Sequence, residues 1–120
     1  MQRRLSALPL VVLASNALTS PPAHAQAPDF LPASQAVKAM MDGRPWNGLT
    51  AEGRRAKFTF NRDGTGIFEG PITMSISWEQ KADAVCLNLR MAGTKCFRFR
   101  AIAGGFEGYI GNKIDATFTR

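Results

Sequence analysis

The strongest constraint on this 120-residue chain is a two-residue hydrophobic period that recurs, segment after segment, from Lys57 to Arg120. Phe58 and Phe60 alternate with polar neighbours. Ile72, Met74, Ile76 and Trp78 alternate with Thr73, Ser75, Ser77 and Glu79. Val85, Leu87 and Leu89 then set Cys86, Asn88 and Arg90 on the other side, and Phe97, Phe99 and Ala101 do the same for Cys96, Arg98 and Arg100. Side chains of an extended segment point alternately to its two faces, so each segment reads as a strand with one buried face. Asn61-Arg62-Asp63-Gly64-Thr65-Gly66 and Gly111-Asn112-Lys113 supply the turns.

Pairing must keep the apolar residues on one face, which makes the registers testable against one another. Ile76 opposite Leu87 and Met74 opposite Leu89 leave a short loop near Lys81 to Asp83 and set Ser77 against Cys86. Cys86 opposite Cys96 brings Val85 against Phe97. Phe97 with Ile110 and Ala101 with Phe106 place Arg100 opposite Glu107, and Arg98 opposite Tyr109, on the outer face. Ile110 with Ile114 and Phe106 with Phe118 close the last hairpin. A meander of this length curls to remove its exposed edges. Trp46 to Thr50 offers a first strand. The expected fold class is therefore all-β, an antiparallel up-and-down meander forming a small barrel or strongly curved sheet. Its interior is expected to be filled by large side chains.

Ahead of the strands, Ser34 to Asp42 reads as a short helix closed by Gly43, with Val37, Met40 and Met41 on one face that caps the core at a barrel mouth. Residues 26–33 have the composition of a linker, and residues 34–120 form one β-domain. Residues 1–25 read as a cleaved signal peptide: Arg3-Arg4, an apolar run from Leu5 to Leu18, then Pro21-Pro22 and Ala23-His24-Ala25. The run is shorter than the roughly 20 residues that span a bilayer and is broken by Pro9 and Asn16, so no membrane span is expected after processing. The destination is periplasmic or secreted.

His24 is the chain's one histidine, and cleavage after Ala25 would remove it. The remainder has no imidazole to act as a neutral-pH base or metal ligand. Catalytic residues, a metal and a cofactor are not expected. Of the 15 basic residues, losing Arg3 and Arg4 leaves 13 against 9 acidic ones, a net charge of +4. That mild excess suits an envelope component or an acidic protein as partner. It is too dispersed for nucleic acid. Cys86 and Cys96, an even pair in an oxidising compartment, are expected to form a disulfide.

The short helix leading into Gly43-Arg44-Pro45-Trp46, the Phe60-Asn61-Arg62-Asp63-Gly64-Thr65-Gly66 hairpin, the Trp78 strand and the neighbouring Cys86 and Cys96 resemble small secreted bacterial lipocalin-like β-domains of unknown function. Ser75-Ile76-Ser77-Trp78 stands where the more usual entry is Gly-Thr-Trp. The resemblance implies fold and location, and no activity.

Among candidate sites, the outer face carrying Arg90, Arg98, Arg100 and Tyr109 can grip a carboxylate or a sugar. Trp46, between Arg44-Pro45 and Asn47-Gly48, is either an exposed ring that stacks on a ligand or a plug. Asn61-x-Asp63-Gly64-Thr65-Gly66 resembles the opening of a calcium loop, but Ile72 stands where the closing acid belongs, and Asp63-Gly64 is the stronger cue for a turn. Glu69, Glu79 and Glu107 show no spacing that pairs two carboxylates. The expected function is a non-enzymatic binding or interaction domain that uses its arginine-bearing face. A small-ligand carrier of lipocalin type and an inhibitor of a secreted hydrolase are the alternatives. An interior filled by Phe58, Met74, Leu87, Phe97, Phe99 and Phe118 would argue against the carrier.

Overall fold

The computed structural model describes residues 29–120. The expected signal peptide, with His24, and residues 26–28 of the expected linker lie outside the described residues. One helix, α1 (Ala33–Met40), precedes eight strands: β1 (Pro45–Thr50), β2 (Arg55–Phe60), β3 (Thr65–Glu69), β4 (Thr73–Lys81), β5 (Ala84–Leu89), β6 (Gly93–Ile102), β7 (Gly105–Ile110) and β8 (Lys113–Thr119). Each strand pairs with the next, and β1 pairs with β8 through Asn47 opposite Thr119 and Gly48 opposite Phe118, which closes the barrel.

Inward-facing glycines let this small barrel hold so many aromatic rings. A Cβ at Gly48 would lie 2.7 Å from the Phe58 ring, and one at Gly108 would meet the rings of Phe97, Phe99 and Phe118 at 3.0–3.3 Å. The space those side chains forgo is filled by rings from neighbouring strands. Phe118, fully buried, packs edge-on against Phe58, Phe60, Phe97 and Phe99. Outward positions are mostly polar, with Lys57, Glu69, Glu79 and Arg98 among them. This is the reverse of a barrel that shows an apolar band to lipid. Among the described residues, no helix is long and apolar enough to cross a membrane.

α1 closes one end. Ala33, Ala36, Met40 and Met41 are buried in the same core as Phe60 and Phe99. The helix ends earlier than Asp42, although Met41 N–H still donates to Val37 O at 2.9 Å. Gly43 then adopts φ +79° and donates to Phe60 O, tying the exit to β2. The Asn61 to Thr65 turn at this end is held by Asp63, whose Oδ1 accepts from Thr65 N at 3.0 Å and Thr65 Oγ1 at 2.6 Å. These bonds hold the Asp63 carboxyl below its ordinary pKa.

Cys86 opposite Cys96, Val85 opposite Phe97, Arg98 opposite Tyr109, Arg100 opposite Glu107 and Phe106 opposite Phe118 are as the alternation predicts. Two registers differ. Leu87 faces Trp78, not Ile76, and Cys86 faces Glu79, not Ser77. The β4–β5 loop is only Ala82-Asp83, with Ala82 at φ +53°, and this tight turn slides the strands by two residues. An even slide leaves every inward residue inward. In the last hairpin Ile114 pairs with Tyr109, not Ile110, because a bulge interrupts the ladder: Gly108 faces Ala116, the next residue faces Ile114, and Asp115 is skipped. Ile110 and Ile114 are each left 39% exposed.

Candidate ligand-binding site

The two halves of the barrel are filled differently. Phe60, Phe99, Met40 and Met41 pack the half next to α1. In the other half the side chains stop short, leaving a cavity of about 490 Å³ that opens between the β1–β2, β3–β4 and β5–β6 loops. Phe58, Phe97 and Phe118 form its floor, and Phe68, Met74 and Leu89 belong to its walls. The expectation of a filled interior holds for part of the barrel: Leu87, Phe97, Phe99 and Phe118 are at most 3% exposed, and the cup opens above them beside Phe58, Phe68 and Met74. Strand alternation orients these rings, and an eight-stranded barrel is wide enough to be filled or to hold one small ligand where no helix covers the end.

One polar pair stands at the lip. Lys95 follows the inward parity of Phe97 and Phe99, and the bulge at Asp115 brings its carboxylate to the same mouth. Lys95 Nζ lies 3.3 Å from Asp115 Oδ2, and both side chains are about two-thirds covered. Bulges commonly re-aim a side chain in this way. Sequence reasoning missed both residues. A lysine in the inward slot of the Lys95-Phe97-Phe99 series was the available signal, because a charge on a buried stripe needs a partner. Thr50, Glu52, Arg54 and Arg55 complete the polar lip.

The residues expected to bind are placed differently. Arg98, Arg100 and Tyr109 do lie together on the outer face, whereas Arg90 sits in the β5–β6 loop at the open end. The three that gather are already engaged. Arg100 Nη2 lies 2.7 Å from Glu107 Oε1, a pairing that raises the guanidinium's pKa. Arg98 approaches Asp83 at 3.5 Å and stacks over Phe30 at 4.2 Å. Tyr109 is buried beneath Phe30, ring centroids 5.2 Å apart. The segment preceding α1 is anchored there by Leu31 N–H donating to Phe99 O at 2.8 Å. The outer face therefore holds three of the four residues, without Arg90, and Phe30 packs on two of them, Arg98 and Tyr109.

Trp46 is the plug. Its Nε1–H donates to Met40 O at 3.0 Å, its ring meets Phe106 edge-on, and the Arg120 guanidinium covers it at 3.6 Å. Only 5% of the residue is exposed, which removes it as a stacking platform. Arg120 also grips Asp42 with both nitrogens, at 2.7 and 2.9 Å, and these bonds hold the Asp42 carboxyl down to about 2. Trp78 is half-buried, with Nε1–H donating to Asn61 O at 2.7 Å. Cys86 and Cys96 form a disulfide between β5 and β6, which is compatible with an oxidising compartment.

No protein-family model matches this chain, and comparisons with curated proteins and with solved structures found no match.

Proposed function

We propose that this protein is a non-enzymatic binder that carries a small amphipathic molecule in the open half of its barrel, in the manner of a lipocalin, in a periplasmic or secreted setting. The observation that carries the reading is the cup itself. A concave cavity of about 490 Å³, apolar at the floor with a few polar groups at the mouth, is the usual form of a small-molecule site. Phe58, Phe97 and Phe118 would take the apolar body. Lys95 and Asp115 would meet a polar head by exchanging part of their ion pair for hydrogen bonds to the ligand. Connections of two to four residues between strands favour this cup over a protruding inhibitory loop. The disulfide and the expected signal peptide support the location.

Titration with anilinonaphthalene sulfonate, an apolar fluorophore with an anionic group, tests the proposal. The wild type should enhance its fluorescence saturably. Ala56→Trp, which projects a large ring into the cup from an inward position on β2, should abolish binding while keeping a cooperative thermal transition. Equal binding by both proteins would refute the cup as the site.

A further inference from the structure

Exposed large hydrophobic side chains on this barrel are concentrated at one end. Of six such residues, Leu49, Ile72, Met91, Ile110 and Ile114 border the open mouth, and only Ile67 lies along the barrel wall. Ile72, 52% exposed, follows Pro71 in the β3–β4 loop, and Met91, 82% exposed, is the tip of the β5–β6 loop. Ile110 and Ile114 flank the β7–β8 loop, and Leu49 lies at the end of β1. Three of the four loops at this end thus carry or adjoin a large apolar side chain facing water, and Leu49 stands one residue back from the fourth. Isolated exposed apolar residues are ordinary, but a ring of them with polar surroundings marks an interaction surface.

The charges at the same rim identify the partner. Arg54, Arg55, Arg90 and Lys113 stand on or beside these loops, and none of them makes an ion pair among the described residues. Glu52 is the acid on those loops, Asp115 is neutralised by Lys95, and Glu69 sits opposite Lys57 in the β2–β3 ladder. At the end closed by α1 most cations are paired, Arg44 and Arg120 with Asp42, Arg98 with Asp83 and Arg100 with Glu107, while Lys38 and Arg62, with no ion pair among the described residues, have no exposed large apolar side chain on a neighbouring loop. Protruding apolar tips beside unpaired cations have the chemistry of an interfacial anchor. The tips enter the headgroup layer, and the cations meet anionic lipid.

We infer that the open end of the barrel docks on an anionic lipid surface, through Ile72 and Met91 as inserting tips and Arg90 and Lys113 as headgroup contacts. In that pose the mouth faces the acyl region, so an amphipathic ligand could pass between bilayer and cup without crossing bulk water. The docking stands on the rim, not on the cup being loaded.

Co-sedimentation with phosphatidylcholine vesicles, with and without phosphatidylglycerol, tests it. The full chain is expressed from its first residue and purified in the form the cell leaves it, so every variant shares the same N-terminal region. The wild type should partition onto phosphatidylglycerol vesicles, and less so as salt rises. Ile72→Ser with Met91→Ser should weaken partition at least on the order of tenfold. Arg90→Gln with Lys113→Gln should weaken it on the order of tenfold, on phosphatidylglycerol vesicles only. Lys38→Gln with Arg62→Gln, at the closed end, should leave it unchanged, and Ala56→Trp should keep vesicle binding while losing the fluorophore, which separates this inference from the cup reading. Each altered rim side chain is solvent-exposed, so an unchanged thermal transition shows that folding is intact. A wild type that stays in solution with phosphatidylglycerol vesicles, or rim and closed-end variants that behave alike, would overturn the inference. Capture of a protein through the same rim residues without vesicle binding would also overturn it, assigning the rim to a protein partner.

Discussion

The two ends of this barrel are built from the same alternating strands and yet solve different problems. At the closed end, α1 and the Met41 that follows it supply four buried side chains, Trp46 is roofed by Arg120, and Asp42 receives two guanidinium nitrogens. At the open end the rings stop short, cations stand unpaired, and Met91 projects into solvent. The difference teaches where stability is concentrated and where it has been given up for access, since binding surfaces are drawn from the less consolidated parts of a fold.

That division can be broken by core truncation. Phe60→Ala removes a fully buried ring beneath the helix and should cost about 3–5 kcal/mol in urea unfolding. Leu89→Ala, on the wall of the cup, should cost about 1–2 kcal/mol, because its surroundings already include open space. Equal losses would mean that the two halves are equally consolidated.

Arg120→Ala probes the roof of the closed end. It deletes the cation stacked at 3.6 Å on Trp46 and the paired contacts to Asp42, and should lower stability by about 2 kcal/mol. A rise in Trp46 accessibility to a neutral quencher should accompany it.

The Asp42 contribution also has a pH signature. The Arg120 hydrogen bonds depress its carboxyl to about 2 in the folded protein, against an unfolded value near 4. A depressed acid contributes its full stability above the unfolded value and loses it as pH falls through the folded one. With a quarter of the Asp42 side chain exposed, the effect is on the order of 1–2 kcal/mol. Acid titration of the wild type should therefore show a loss between about pH 4 and pH 2 that Arg120→Ala largely lacks.

The smallest effect on stability belongs to the lip. Replacing Lys95 and Asp115 together by Met and Leu should shift stability by less than about 1 kcal/mol, since an ion pair still about a third exposed contributes little. The same double variant should change which head groups the cup accepts, read as relative affinities for anionic and neutral probes. Selectivity that did not change would remove the pair from the site.

Most of the barrel was legible in the alternation, and its failures were physical. The Cys86 to Cys96, Arg100 to Glu107 and Phe106 to Phe118 pairings follow from keeping one face apolar. The slide of Leu87 from Ile76 to Trp78 was invisible because an even shift preserves that face. Parity also hid the bulge: Ile114, Ala116 and Phe118 read as an unbroken inward series, and only the ladder shows where Asp115 drops out of it. The cup escaped notice because alternation says which way a ring points, not how far it reaches. Phe30, which covers Tyr109 and meets Arg98, sits in a segment without periodicity, so its docking could not be read ahead of the fold.

The bulge in β8 ties together two properties that would otherwise vary separately. Skipping Asp115 turns its carboxylate toward the cup and leaves Ile114 half in solvent at the rim, both through one irregularity in the ladder. An unbroken ladder would instead set Ile114 opposite Ile110 and Asp115 opposite Tyr109, moving the isoleucine inward and the acid outward in a single step. What the vessel can hold and what its lip can touch are thus inherited as one trait.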